Sequence, residues 1–82
     1  MSASQEMVRE WFDEGVRQGA GHMLVIYDAH DYTNYPKYVM PLEDVQMAYK
    51  EIHGYRMRSV VEVYNLSFDR EEQLAEERAL HF

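Results

Sequence analysis

The densest collection of chemically capable side chains lies in residues 28–38. Asp28, His30 and Asp31 supply two carboxylates and an imidazole within four positions, and Tyr32, Asn34, Tyr35 and Tyr38 add three phenols and an amide. Carboxylate and imidazole groups are ligands for divalent ions, and a carboxylate beside a histidine can move protons, so this run is where chemistry would sit. Three such groups so close in sequence converge on one ion only if the backbone folds sharply back, and the spaced acidic positions and glycine of a calcium loop are absent. The local alternative is that Asp28 and Asn34 bond nearby backbone amides in turns while His30 stands exposed.

Other chemistries have less support. The chain has no cysteine, its five serines and threonines occupy no strand-turn-helix elbow, and Gly15, Gly19 and Gly21 neither follow a strand nor precede the lysine of a phosphate loop. The expectation is a protein without catalytic, metal or cofactor residues. A small metal-dependent enzyme built on Asp28, His30 and Asp31 is the alternative.

The same residue types suit a binding surface better. Tyr27, Tyr32, Tyr35 and Tyr38 fall within twelve residues, and tyrosine offers large contact area, a hydrogen-bonding tip and few rotors to freeze. A second candidate surface is acidic: Glu71, Glu72, Glu76 and Glu77 crowd together beyond Asp69. On a helix, Glu72 and Glu76 would be an i, i+4 like-charge pair costing about 0.2–0.5 kcal/mol. Fifteen carboxylates against eight lysines and arginines give a net charge of −7. Direct nucleic-acid contact needs clustered cations, so it is not expected, whereas a basic protein surface would be attracted and steered. Asp28, His30, Asp31, Tyr32, Tyr35, Tyr38, Glu72 and Glu76 are therefore the candidate partner-binding residues.

The elements that must position them can be read from periodicity. Met7, Val8, Trp11, Phe12 and Val16 form an apolar stripe, so a helix is expected over residues 4–18, capped by serine and ended by Gly19. Met23 to Tyr27 is a continuous apolar run of strand length, and Tyr38 to Met40 a shorter strand stopped by Pro41, the two pairing as a hairpin around a long loop. Pro41 then suits the first turn of a helix over residues 42–53, ended by Gly54. In residues 57–66, Met57, Val60, Val61 and Tyr64 match the helical i, i+3, i+4, i+7 template, while three valines and a tyrosine favour a strand; the template reads the segment as a helix, with a third strand as the alternative. Asp69 and Glu72 have capping-box spacing for a last helix reaching about Leu80.

These elements make a single α+β domain over residues 1–82, with a β-hairpin or small three-stranded antiparallel sheet covered on one face by three to four helices. The expected core is Trp11, Phe12, Leu24, Ile26, Val45, Ile52, Val61 and Leu74, with several methionines filling gaps on the apolar stripes. An apolar content of 46% argues against disorder. The lack of cysteine, of an export leader and of a bilayer-length apolar run points to the cytoplasm and away from membranes. A short hairpin in need of a neighbour would make the protein a homodimer or a homo-oligomeric structural protein.

A wider pattern accompanies these features. The run Trp11-Phe12-x-x-Gly15, Gly19-Ala20-x-His22-Met23, Asp28-x-x-Asp31, Tyr35-Pro36-x-Tyr38-Val39 and Glu77-Arg78-Ala79-x-His81-Phe82 resembles short uncharacterised proteins carried by bacteria and their phages. The resemblance spans nearly the whole chain and implies a prokaryotic or phage origin, with no activity or site attached. Size and acidity are also similar to those of phage-borne inhibitors such as anti-CRISPR and anti-restriction proteins, some of which block basic nucleic-acid grooves. The expected function is thus a non-catalytic acidic protein-binding module, an inhibitor or accessory factor of a basic protein.

Overall fold

Met23, Leu24, Val25 and Ile26 are all fully buried, which requires their strand to be covered on both faces. The computed structural model, which describes residues 3–82, shows how. The elements are α1 (Gln5–Gln18), β1 (His22–Asp28), β2 (Thr33–Val39), α2 (Val45–Ile52), β3 (Arg58–Asn65) and α3 (Arg70–Leu74). The sheet has the order β2-β1-β3 with both pairings antiparallel, so the most apolar strand lies at its centre. Val25 and Met23 join Val8 and Phe12 of α1, Tyr64 and Leu74 in one cluster, whereas Leu24 and Ile26 join Val39, Val60, Val63 and Ile52 of α2 in the other. The α+β class is as expected, but the helices lie on both faces of the sheet. A continuous apolar strand is the signature of that arrangement, while one-sided cover would have required alternation.

Residues 57–66 are where the helical reading fails. They form β3, and the cause is a bulge: Ile26 faces Val60 and Val25 faces Glu62, leaving Val61 as the extra residue. The two-residue alternation therefore breaks at its midpoint. Val60 and Val63 go to the α2 side while Val61 and Tyr64 go to the α1 side, and the spacing across the break mimics a helical stripe. His53, at the end of α2, stabilises this point by accepting a hydrogen bond from the Val60 amide on Nδ1 at 3.0 Å, and its ring stacks on Tyr49 with centroids 4.9 Å apart.

The long loop expected over residues 28–38 is also corrected. Only residues 29–32 form the turn; β2 begins at Thr33 and pairs with β1 along seven residues, from Asp28 with Thr33 to His22 with Val39. Pro36 is tolerated because β2 is an edge strand, where a residue lacking N–H can face outward. The second helix starts at Val45, since Asp44 caps it by accepting from the Gln46 and Met47 amides at 3.0 and 3.2 Å; Pro41 lies before the cap. The last helix stops at Leu74 instead of reaching Leu80. The chain beyond it runs beside β3, with the Val63 amide donating to the Ala79 carbonyl at 2.8 Å and the His81 amide to the Val63 carbonyl at 2.9 Å. Satisfying the open edge of β3 outweighs two more helical turns in a segment crowded with glutamates.

In α1 the buried stripe is Val8, Phe12 and Gly15, capped by Ser4 and ended by left-handed Gly19, while Met7 and Val16 are exposed. Trp11, Val45 and Val61 are only partly buried at the edges of the two clusters. Gly15 is inside because Tyr38 and Leu66 pack directly on it; an added Cβ would meet Leu66 Cδ1 at 2.7 Å and Tyr38 Cε1 at 2.8 Å. Above it, the Tyr38 hydroxyl donates to the Trp11 carbonyl at 2.7 Å, tying β2 to α1. Glycine within a helix ordinarily costs about 1 kcal/mol against alanine, but this contact reverses the sign. Gly15→Ala should destabilise the protein by about 1–3 kcal/mol, the range for overpacking a filled core, when followed by chemical denaturation; a more stable variant would show that the Tyr38 and Leu66 contacts are loose.

Candidate interaction surfaces

One end of the sheet carries the β1–β2 turn and the α2–β3 connection side by side. Asp28 shapes the turn by accepting the His30 amide at 2.9 Å, as its residue type and position suggested. The His30 ring pairs with the Asp31 carboxylate at 3.0 Å, both side chains well exposed, and that contact, ahead of the longer-range charge of Asp28, raises the His30 pKa above its ordinary value. The two turns are linked by the Ala29 amide donating to the Met57 carbonyl at 2.9 Å. Three non-glycine residues here have left-handed backbones: Tyr32 at φ 56°, Arg56 at 53° and Met57 at 62°. Such conformations are uncommon for bulky residues and cost on the order of 1–3 kcal/mol each. Tyr32 is nevertheless 73% exposed, and Tyr55 and Met57 are also largely open to solvent.

The remaining sequence candidates do not gather on this end. Tyr35 packs against the α2-side cluster and Tyr38 against the α1-side cluster, since their separation by three positions in a strand points them to opposite faces. Of the four tyrosines proposed as one patch, only Tyr32 projects from the turn. Glu72 is exposed on α3. Glu76 lies beyond the helix, so the i, i+4 pair with Glu72 does not form; its carboxylate instead meets His81 Nε2 at 2.7 Å. Asp28, His30 and Asp31 are engaged in turn contacts, and among the described residues no group of three or more histidines and carboxylates is arranged to hold a metal ion.

A feature that sequence reasoning missed is an open groove of about 670 Å³ on the α1 side of the sheet, beside the segment that follows α3. Its base includes the buried Val8, Val25, Tyr64 and Leu74, and its walls include the partly exposed Tyr27 and Val61. Glu62, Glu76 and Glu77 stand around it with one cation, Arg78. The bulge builds one wall, because it turns both Val61 and Glu62 toward the same face. Arg78 is occupied: Nε donates to the Val61 carbonyl at 2.7 Å and a terminal nitrogen to the Val60 carbonyl at 3.3 Å. Glu62 accepts from the Ala79 amide at 3.3 Å. Tyr64, which closes the base, has its pKa raised by burial first and by the neighbouring Glu62 charge second. The break in alternation within residues 57–66 was the one sequence signal of this geometry.

Other cations are also taken up within the fold. Arg9 pairs with Glu71 at 2.8 Å, Arg17 with Glu14 at 2.7 Å, and Arg70 bridges Asp13 and Glu71, both at 2.8 Å. Arg56 and Arg58 lie 5.3 and 6.0 Å from the centre of the Tyr55 ring. The surplus carboxylates are thus left to set the surface potential. No helix among the described residues is long and apolar enough to cross a membrane. The chain matches no protein-family model, no curated protein and no solved structure.

The Arg9–Glu71–Arg70 network has a pH signature. The hydrogen bond from Arg9, seconded by that from Arg70, holds the Glu71 carboxyl at about 2 against an ordinary 4.5. A folded-state value below the unfolded one means that the contribution is present above pH 4.5 and is lost as pH falls from there through about 2. Both partners are exposed, so the effect on stability is small. Carbon-detected NMR titration should place the Glu71 midpoint near 2, and Arg9→Gln should move it up toward the ordinary range; a parent midpoint already in that range would mean the pair does not form in solution.

Proposed function

We propose that the protein is a non-catalytic binding module that acts as an inhibitor or accessory factor by docking onto the basic surface of another protein, of the kind that binds nucleic acid. The observation that carries this reading is Tyr32: an exposed aromatic side chain held on a left-handed backbone. Nothing in the core needs that residue there. Strain of this kind persists where the surrounding structure imposes it and concentrates at recognition sites, and an exposed tyrosine is a favourable contact residue. His30 and Asp31 flank it in the turn, and the left-handed Arg56 and Met57 stand in the adjoining connection.

Partner chemistry follows from charge. With net charge −7 and arginines 9, 17, 70 and 78 committed to contacts inside the fold, a cationic surface is the natural complement and would be steered to the module at low salt. The size and acidity shared with phage-borne inhibitors agree with that role.

Two variants separate this function from folding. Tyr32→Asn removes the ring while keeping a residue that tolerates the left-handed region, so thermal stability should be equal or slightly higher. Affinity capture from bacterial lysate, followed by identification of the bound proteins, should retain a basic nucleic-acid-binding protein on the parent chain that is released by added salt and retained at least about tenfold less by the variant, as expected for losing a central aromatic contact. Capture that is indifferent both to salt and to Tyr32→Asn would refute the proposal.

A further inference from the structure

We infer that the groove beside β3 receives a segment of the partner protein that carries an arginine or lysine beside apolar residues. This inference rests on the binding-module reading and assigns it a second contact region, on the α1 face of the sheet and separate from the Tyr32 turn. The groove combines two features that call for different parts of one ligand. Its base of Val8, Val25 and Leu74 is almost wholly buried, and the apolar surface it offers comes from the partly exposed Tyr27 and Val61, which suits aliphatic side chains. Its rim holds Glu62, Glu76 and Glu77 against a single arginine, and that arginine is tied to the Val60 and Val61 carbonyls across the bulge. Glu76 already faces His81 Nε2 at 2.7 Å and Glu62 accepts from the Ala79 amide, so the exposed Glu77 is the rim carboxylate that an entering cation meets. Tyr27 adds an aromatic wall on which a guanidinium can lie.

The volume, about 670 Å³, lies within the range of pockets that enclose a few side chains. An acidic or phosphorylated segment would face repulsion from the rim. A purely apolar one would leave Glu77 without a counter-charge. The bulge explains why the site lies here: in an unbulged β3, Val61 and Glu62 would alternate to opposite faces, and the wall would lose either its apolar or its acidic member.

The test uses the full chain and a capped hexapeptide of alternating arginine and leucine, with the glutamate–leucine hexapeptide as its counterpart. Amide shifts in proton–nitrogen spectra should centre on Tyr27, Val61, Glu62 and Glu77 with the arginine peptide, weaken with salt, and be absent with the glutamate peptide. Glu77→Lys should weaken binding about tenfold, while Glu51→Lys, an identical change in net charge on α2 at the opposite face, should weaken it less than about twofold. Equal loss from both variants, or shifts centred on another surface, would overturn the groove as the site and leave the acidic-module reading standing. Binding of both peptides alike, without salt dependence, would overturn both readings. Shifts of the same amides on raising protein concentration without peptide would identify the occupant as a second copy of this chain and also overturn the inference.

Discussion

Burial of β1 on both faces is the constraint on which the rest of the structure depends. Four successive apolar side chains, Met23 to Ile26, can leave water together only if the strand is central and each face has its own helical cover. That requirement recruits β3 to the side of β1 opposite β2, sends α1 and α2 to opposite faces, and divides the core into two clusters separated by the sheet. A hairpin alone would have left one flank of β1 unpaired, and two strands are marginal in water.

The two edges of this sheet are managed differently. β2 is interrupted by Pro36 and carries a lysine at position 37, both of which discourage pairing with another chain. The outer side of β3 is instead covered by residues 79–81 of its own chain, and the Arg78 guanidinium gathers the carbonyls at the bulge. The same bulge thus kinks the strand, supplies acceptors that hold the C-terminal segment, and turns Val61 and Glu62 together toward the groove. One inserted residue links edge protection to the shape of the surface.

Electrostatics divides the surface as well. Arginines 9, 17 and 70 pair with Glu71, Glu14 and Asp13 within α1 and between α1 and α3, and these charges cancel locally, so the net charge of −7 is carried by the rest of the chain. Such pairs contribute little stability individually. Backbone strain at Tyr32, Arg56 and Met57 is gathered at the opposite kind of place, two adjoining turns that contribute exposed side chains and little to the core.

By itself the chain determined what depends on neighbours close in sequence: the helix from its serine cap to Gly19, the β1 strand from its β-branched run, the cap at Asp69, and the Asp28 turn, because each is set by contacts within a few residues. It also determined the acidic balance. Tertiary structure decided everything that required knowing who stands opposite. The bulge at Val61 exists only against β1, and without that partner its spacing is indistinguishable from a helical stripe. The final segment gives up helix for the β3 edge, which no local pattern announces. Tyr35 and Tyr38 look like one cluster in sequence and become two opposed contacts once β2 is paired. The groove, assembled from residues as far apart as Val8 and Glu77, left one trace in the sequence, the broken alternation of residues 57–66, since long-range packing alone brings its base and rim together.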